Sequence, residues 1–152
     1  MKRILITGAN KGIGLATAKK LLDSYNDTYV ILGSRDLKKG DQAMESLQNG
    51  KPEFKDRIFL LQIDVEQDDS VNSAAMKVGE KFGKNQGNLY GIVNNAGIGD
   101  NFYGLEKVLQ VNTHGPKRIC DAFIPLLDSN HGRIVNVTSA SGPTFLSRSS
   151  DE

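Results

Sequence analysis

The chain has 152 residues, 38% hydrophobic and 24% charged, a composition that suits a single globular domain with one core. A formal net charge of +1, with both signs interspersed, provides no basic stripe, so nucleic acid and membrane surfaces are not expected as partners. The apolar run after Met1 is only Ile4, Leu5 and Ile6, too short for a signal peptide or a membrane span, and a cytoplasmic chain is expected. Cys120 is the single cysteine, so an internal disulfide and a cysteine-rich zinc site are excluded, and no metal is expected.

Short β-branched runs alternate with amphipathic stretches, which predicts βαβ units around a parallel sheet. The implied fold is an α/β, Rossmann-like, doubly wound sheet in three layers, with ligands bound beyond the carboxyl ends of the strands. The first strand, residues 3–7, runs into a glycine turn, 7–14, and then a helix striped by Leu15, Ala18 and Leu22. In that context Gly8, Asn10, Gly12, Ile13 and Gly14 are candidate pyrophosphate residues: small residues admit the ligand, and the helix N-terminus offers unpaired N–H groups and a positive dipole end. Taken alone, the glycines also fit a tight strand-to-helix turn.

The second strand, 29–33, ends in Gly33-Ser34-Arg35-Asp36, where an acidic residue would select NAD and an arginine would accommodate a 2′-phosphate. Arg35 and Lys11 bracket the adenosine end and favour NADP(H), although each alone could be a solvated surface cation. Asp36 is better placed to cap the helix carrying Leu37, Met44 and Leu47 than to bind a ribose. The third strand, 58–64, ends at Asp64-Val65, and the next helix carries a core stripe of Val71, Ala74, Ala75, Val78 and Phe82. The fourth strand, 90–94, runs into Asn94-Asn95-Ala96-Gly97, and the fifth, 133–138, ends at Ser139.

Together, the TGxxxGxG spacing from Thr7 to Gly14, the NNAG run and the strand-terminal Ser139 resemble the short-chain dehydrogenase/reductase family. Within it, NKGIGLA (10–16), the SRD ending of the second strand, VNNAGI (93–98) and GRIVNVTS (132–139) are most similar to the carbonyl reductase-like branch and its plant relatives. The resemblance implies an oxidoreductase that moves a hydride between NADP(H) and a small carbonyl or alcohol, with carbonyl reduction foremost. It places Asp64 and Val65 at the adenine, and Asn95, Ala96 and Gly97 along the ribose and nicotinamide. It makes Ser139 and Asn112 the catalytic candidates, the serine hydrogen-bonding the substrate oxygen and the asparagine positioning a relay water.

Pro116 adds a physical reason to weigh Asn112: in a helix, a proline four residues on cannot donate to the Asn112 carbonyl, and a bend is expected there. Thr138 should point away from Ser139 if strand geometry holds through both. His114 reads as a structural or surface histidine, and Cys120 as helix packing. The family's general acid lies in a YxxxK run after the serine, and no tyrosine or lysine follows Ser139 here. A YxxxK string from Tyr103 to Lys107 precedes Asn112 and reads as a solvated helix start.

The expectation is therefore an N-terminal fragment ending after the fifth strand, inactive as it stands, with Ile134, Val135 and Val137 on an unprotected sheet edge. The alternative is a non-catalytic nucleotide-binding or interaction module. Substrate identity, reaction direction and oligomeric state are not legible.

Overall fold

A computed structural model of the chain describes residues 1–84, 87–99 and 103–139, together with 142, 144 and 147. The strands β1 (Lys2–Ile6), β2 (Thr28–Ser34), β3 (Ile58–Gln62), β4 (Gly91–Asn94) and β5 (Arg133–Asn136) form one parallel sheet in the order β3-β2-β1-β4-β5. Between them lie α1 (Gly12–Ser24), α2 (Leu37–Gln48), a 3₁₀ turn (Pro52–Arg57), α3 (Asp68–Phe82), and a run of α4 (Leu105–Leu109), a π turn (Gln110–His114) and α5 (Gly115–Phe123). This is the Rossmann-like, doubly wound architecture expected from the alternating pattern.

Strand alternation sorts the core into two layers. Leu5 lies in register with Ile31 of β2 and Ile92 of β4, and all three pack with Val71, Ala74 and Val78 of α3 and Ile119 and Phe123 of α5. One residue along, Ile6, with Val30 and Leu32, faces the other way, onto Ala18 and Leu22 of α1 and Ala43 and Leu47 of α2. Because helices cover both faces, the central strands are apolar at successive positions.

All five expected strands form, but three stop short of the expected ends, β1 by one residue, at Ile6. β3 ends at Gln62, although the Ile63 amide still donates to the Ser34 carbonyl at 3.0 Å. β5 ends at Asn136; Val137 donates once more to the Asn94 carbonyl at 2.9 Å, and Thr138 and Ser139 lie beyond the ladder. Thr138 and Ser139 therefore lie where strand alternation does not set their directions. β4 is the sole strand partner of β5 among the described residues, and Ile134, Val135 and Val137 are exposed there.

Asp36 caps α2, its Oδ1 accepting from the Lys39 amide at 3.1 Å, as its position before Leu37 indicates. The bend expected at Pro116 takes a different form. The helix widens into the π turn over Gln110–His114 immediately ahead of Gly115 and Pro116, a local change of register that accommodates a missing proline N–H. Among the described residues no helix is long and apolar enough to cross a membrane, and no group of side chains is arranged to hold a metal ion.

Candidate functional site: a cleft at the sheet switch point

From β1 the chain winds outward through β2 and β3, then returns to the other side of β1 for β4 and β5. The crevice between the carboxyl ends of β1 and β4 is the topological switch point, where such sheets bind ligands. A cleft of roughly 370 Å³ opens there, lined by Gly8, Asn10, Lys11, Gly12 and Ile13 from the glycine turn, Arg35, Asp64 and Val65 from the next two strand ends, and Asn95, Ala96 and Gly97 after β4. Of the twelve cofactor residues expected from sequence, only Gly14 does not face it.

The turn explains its own glycines. Gly8 and Gly12 have φ of +63° and +55°, in the left-handed region that glycine enters without steric cost. Gly14 is buried beneath the turn, where a Cβ would sit 2.5 Å from Asn95 Nδ2 and 2.7 Å from the Gly8 carbonyl. Its role is close packing, which lets α1 start directly under the cleft. The first turn of α1 carries no acidic residue and no side-chain cap, so its amide groups and dipole are left to a ligand.

A second turn is fastened to the first. Thr7 Oγ1 accepts from the amides of Asn95 and Ala96, each at 3.0 Å, and lies 3.4 Å from the Val93 carbonyl, to which it donates. The Asn95 side chain donates to the carbonyls of Thr7, at 2.9 Å, and Gly8, at 3.2 Å. Asn95 therefore lines the cleft with its amide group already committed to the turn.

The rim of the cleft is cationic. Lys11 and Arg35 are exposed on its rim, and neither takes part in an ion pair with any described residue. Asp36, the nearest carboxylate in sequence, is occupied with its cap and with Lys39. Asp64 is also tied locally, its Oδ1 accepting from the Glu66 amide at 3.1 Å and its own amide donating to Ser70 Oγ at 2.9 Å.

Asn112 lies in the π turn and clamps the backbone of Ile98: its Oδ1 accepts from the Ile98 amide at 2.9 Å, and its Nδ2 donates to the Ile98 carbonyl at 2.8 Å. It thereby stands beside Gly97, where a Cβ would come within 3.3 Å of Asn112 Oδ1. Neither Asn112 nor Ser139 lines the cleft itself, and both are exposed. His114 is exposed, and Cys120 is half-buried, 3.8 Å from Asn94 Nδ2.

Lys107 of the early YxxxK string forms an ion pair with Glu66, while Tyr103 is exposed ahead of α4. Two lining residues, Ile63 and Val111, were not anticipated. The signal for Ile63 was its place at the end of the third apolar run; for Val111 it was adjacency to Asn112.

A family model described as short chain dehydrogenase matches residues 2–149. (+)-Neomenthol dehydrogenase from Arabidopsis thaliana is 36% identical, over 91% of this chain and 53% of the relative. Among solved structures, menthone neomenthol reductase from Mentha piperita superposes with a TM-score of 0.79 at 31% identity, covering 91% of this chain and 60% of that one. The NADPH-bound carbonyl reductase from chicken fatty liver gives 0.75 at 28% identity, covering 93% and 61%. The chain thus spans between about half and three fifths of these proteins' lengths. With that match across nearly the whole sequence, and with the glycine turn and the NNAG turn joined at one cleft, the chain belongs to the short-chain dehydrogenase family.

Proposed function

We propose that residues 1–152 form one NADP(H)-binding domain of an oxidoreductase that exchanges a hydride with a small carbonyl or alcohol, carbonyl reduction foremost. The observation that carries this reading is the pair of rim cations, Lys11 and Arg35, neither in an ion pair with a described residue, on a cleft that also holds an uncapped helix N-terminus. A dinucleotide bearing a 2′-phosphate matches both features, the phosphate at the cations and the pyrophosphate at the helix. The cradle fits such a group, since a Cβ at Gly12 would meet nothing within 4 Å and the space above the turn is open.

In this reading Gly8, Asn10, Gly12, Ile13 and Gly14 shape the pyrophosphate seat, Arg35 and Lys11 hold the 2′-phosphate, and Asp64 and Val65 flank the adenine. Asn95, Ala96 and Gly97 take the ribose and nicotinamide side. When bound, the cofactor supplies or accepts the hydride. Ser139 donates a hydrogen bond to the substrate oxygen, and Asn112, beside Gly97, positions a relay water, with Pro116 and the π turn exposing a backbone acceptor. Nucleic acid and membrane are not partners in this reading, and the single cysteine suits a cytoplasmic, reducing compartment.

A second reading, a nucleotide-binding or interaction module without turnover, is favoured by one observation: Lys107 of the early YxxxK string is engaged by Glu66. Titration calorimetry with NADPH and NADH, followed by an NADPH-oxidation assay with a small aldehyde or quinone, tests both. Binding with turnover supports the first reading, binding without turnover the second, and equal affinity for the two cofactors overturns the assignment of NADP(H).

A further inference from the structure

Arg118 of α5 reaches back along the helix to a place the cofactor residues do not explain. Its guanidinium, largely sheltered from solvent, donates to four acceptors: Nε to Asp68 Oδ1 at 2.7 Å, Nη1 to the carbonyls of Gln110 at 3.2 Å and Val65 at 3.4 Å, and Nη2 to Gln110 Oε1 at 2.8 Å. Two of these acceptors belong to the segment after β3, where Val65 lines the cleft and Asp68 opens α3. The other two belong to Gln110, whose neighbour Val111 lines the cleft from the opposite element.

The helix backbone closes on the same residue. A Cβ at Gly115 would lie 3.1 Å from Val65 Cγ2 and 3.2 Å from its Cβ, so α5 rests directly on the Val65 side chain. Val65 is thus gripped twice, its side chain by Gly115 and its carbonyl by Arg118. The Lys107–Glu66 ion pair adds a third tie between the same two segments.

We infer that Arg118 is a positioning residue for the adenine half of the cleft, fixing the distance between its Val65 wall and its Val111 wall. The proposal rests on the reading of this cleft as the NADP(H) site. The planar guanidinium is what the geometry requires, because a lysine offers one point charge and cannot serve acceptors spread over three residues. On the nicotinamide side, Asn95 and Ala96 are fastened to Thr7 rather than to Arg118.

The test is the affinity of the chain for two halves of the cofactor, 2′,5′-ADP and nicotinamide mononucleotide, measured by ligand-observed NMR for the wild type, R118M and D68N. In R118M, affinity for 2′,5′-ADP falls by about tenfold, as expected for losing charge-assisted hydrogen bonds that order the wall, while affinity for the mononucleotide is unchanged. D68N, altered at an exposed helix start, keeps the fold if R118M does not, and shows a smaller loss, about two- to threefold, on the same half alone. A role in general stability would instead weaken both halves together, and that result, or unchanged 2′,5′-ADP binding in both variants, overturns the proposal. Failure of the wild type to bind 2′,5′-ADP overturns the reading of the cleft, and this proposal with it.

Discussion

The hydroxyl of Thr7 accepts hydrogen bonds from the backbone amides of both Asn95 and Ala96, and the Asn95 side chain returns a bond to the Thr7 carbonyl. Two loops 88 residues apart in sequence are thereby held as one surface. Thr7 is 1% exposed, and removing the hydroxyl takes the acceptor from two partly buried amides. Thr7→Val keeps the shape and loses the acceptor, and is expected to cost about 2–6 kcal/mol, at about 1–3 kcal/mol for each amide left unpaired. Thr7→Ser should restore most of it. Urea unfolding midpoints decide the matter; a Val variant as stable as the wild type would show the hub to be dispensable.

Arg35 should set the choice between cofactors. Replacing it with alanine removes charge-assisted hydrogen bonds to a 2′-phosphate worth about 1.5–3 kcal/mol, so NADPH affinity should fall by roughly tenfold to over a hundredfold. NADH, which lacks that phosphate, should bind the variant and the wild type alike. Calorimetry with both cofactors measures the difference, and equal losses for both would place Arg35 outside phosphate recognition.

Much of this was legible because short-range chemistry decided it. The glycine turn, the cap at Asp36 and the apolar runs of β1 to β4 follow from conformational preference and alternation, and the structure keeps them. The π turn was only half legible: Pro116 announces a disturbed helix, but whether the chain kinks or widens depends on what packs against Gly115, namely Val65, 50 residues earlier in the sequence. The Arg118 network was invisible for the same reason, since Asp68, Val65 and Gln110 converge only once α3 and α5 are packed together. Ser139 was identified by resemblance alone, and the end of β5 at Asn136 removes the strand geometry that would have fixed its direction.

Arg57 carries a different kind of risk. It is 7% exposed and has no carboxylate partner among the described residues, yet Nε donates to the Thr28 carbonyl at 3.0 Å, and Nη2 to the carbonyls of Leu22, at 3.2 Å, and Tyr25. The last two belong to the end of α1, whose dipole favours a cation. Arg57→Met fills similar volume but removes the donor to the Thr28 and Leu22 carbonyls, while the Tyr25 carbonyl keeps the Thr28 amide, and should lower stability by about 2–4 kcal/mol. Because Arg57 does not line the cleft, cofactor affinity in the folded variant should be unchanged. A loss of affinity without a loss of stability would contradict this assignment.

Acid should weaken the fold through three carboxylates, two exposed and one, Asp128, half-buried. Hydrogen bonds from Lys19 and Lys51 hold Asp23 below its ordinary range, a bond from Lys2 does so for Asp27, and the amides of His131 and Asn130 do so for Asp128. For a depressed carboxylate, the stabilisation is present above the unfolded value of about 3.9 and is lost as pH falls through the lower folded value. Near 1 M salt, where the Debye length is about 3 Å, the contributions of Asp23 and Asp27 should shrink while that of Asp128, made by backbone amides, persists. Denaturation profiles of Asp23→Asn and Asp128→Ala across pH 2 to 5 at low and high salt would separate the two; identical salt dependence would defeat the distinction.

The two glycines at the start of α1 should fail in opposite ways. Gly14 has an ordinary helical conformation, in which alanine is preferred by about 1 kcal/mol, so propensity alone predicts a stabilised variant. Sterics oppose it: the new Cβ would meet the Gly8 carbonyl at 2.7 Å and Asn95 Nδ2 at 2.5 Å, and that side chain is held by its bonds to Thr7 and Gly8. Overpacking of this kind costs about 1–3 kcal/mol, and here it also pries the two turns apart, so Gly14→Ala should lose stability and cofactor affinity together. Gly12→Ala meets no neighbour within 4 Å and pays only for its φ of +55°, about 1–2 kcal/mol, but its methyl group stands where the pyrophosphate seat is proposed. Its affinity loss should therefore exceed what its stability loss explains. Urea midpoints and calorimetric affinities for both variants supply the comparison, and a Gly14→Ala variant more stable than the wild type would mean that helix propensity outweighs the close approach of α1 to the Asn95 turn.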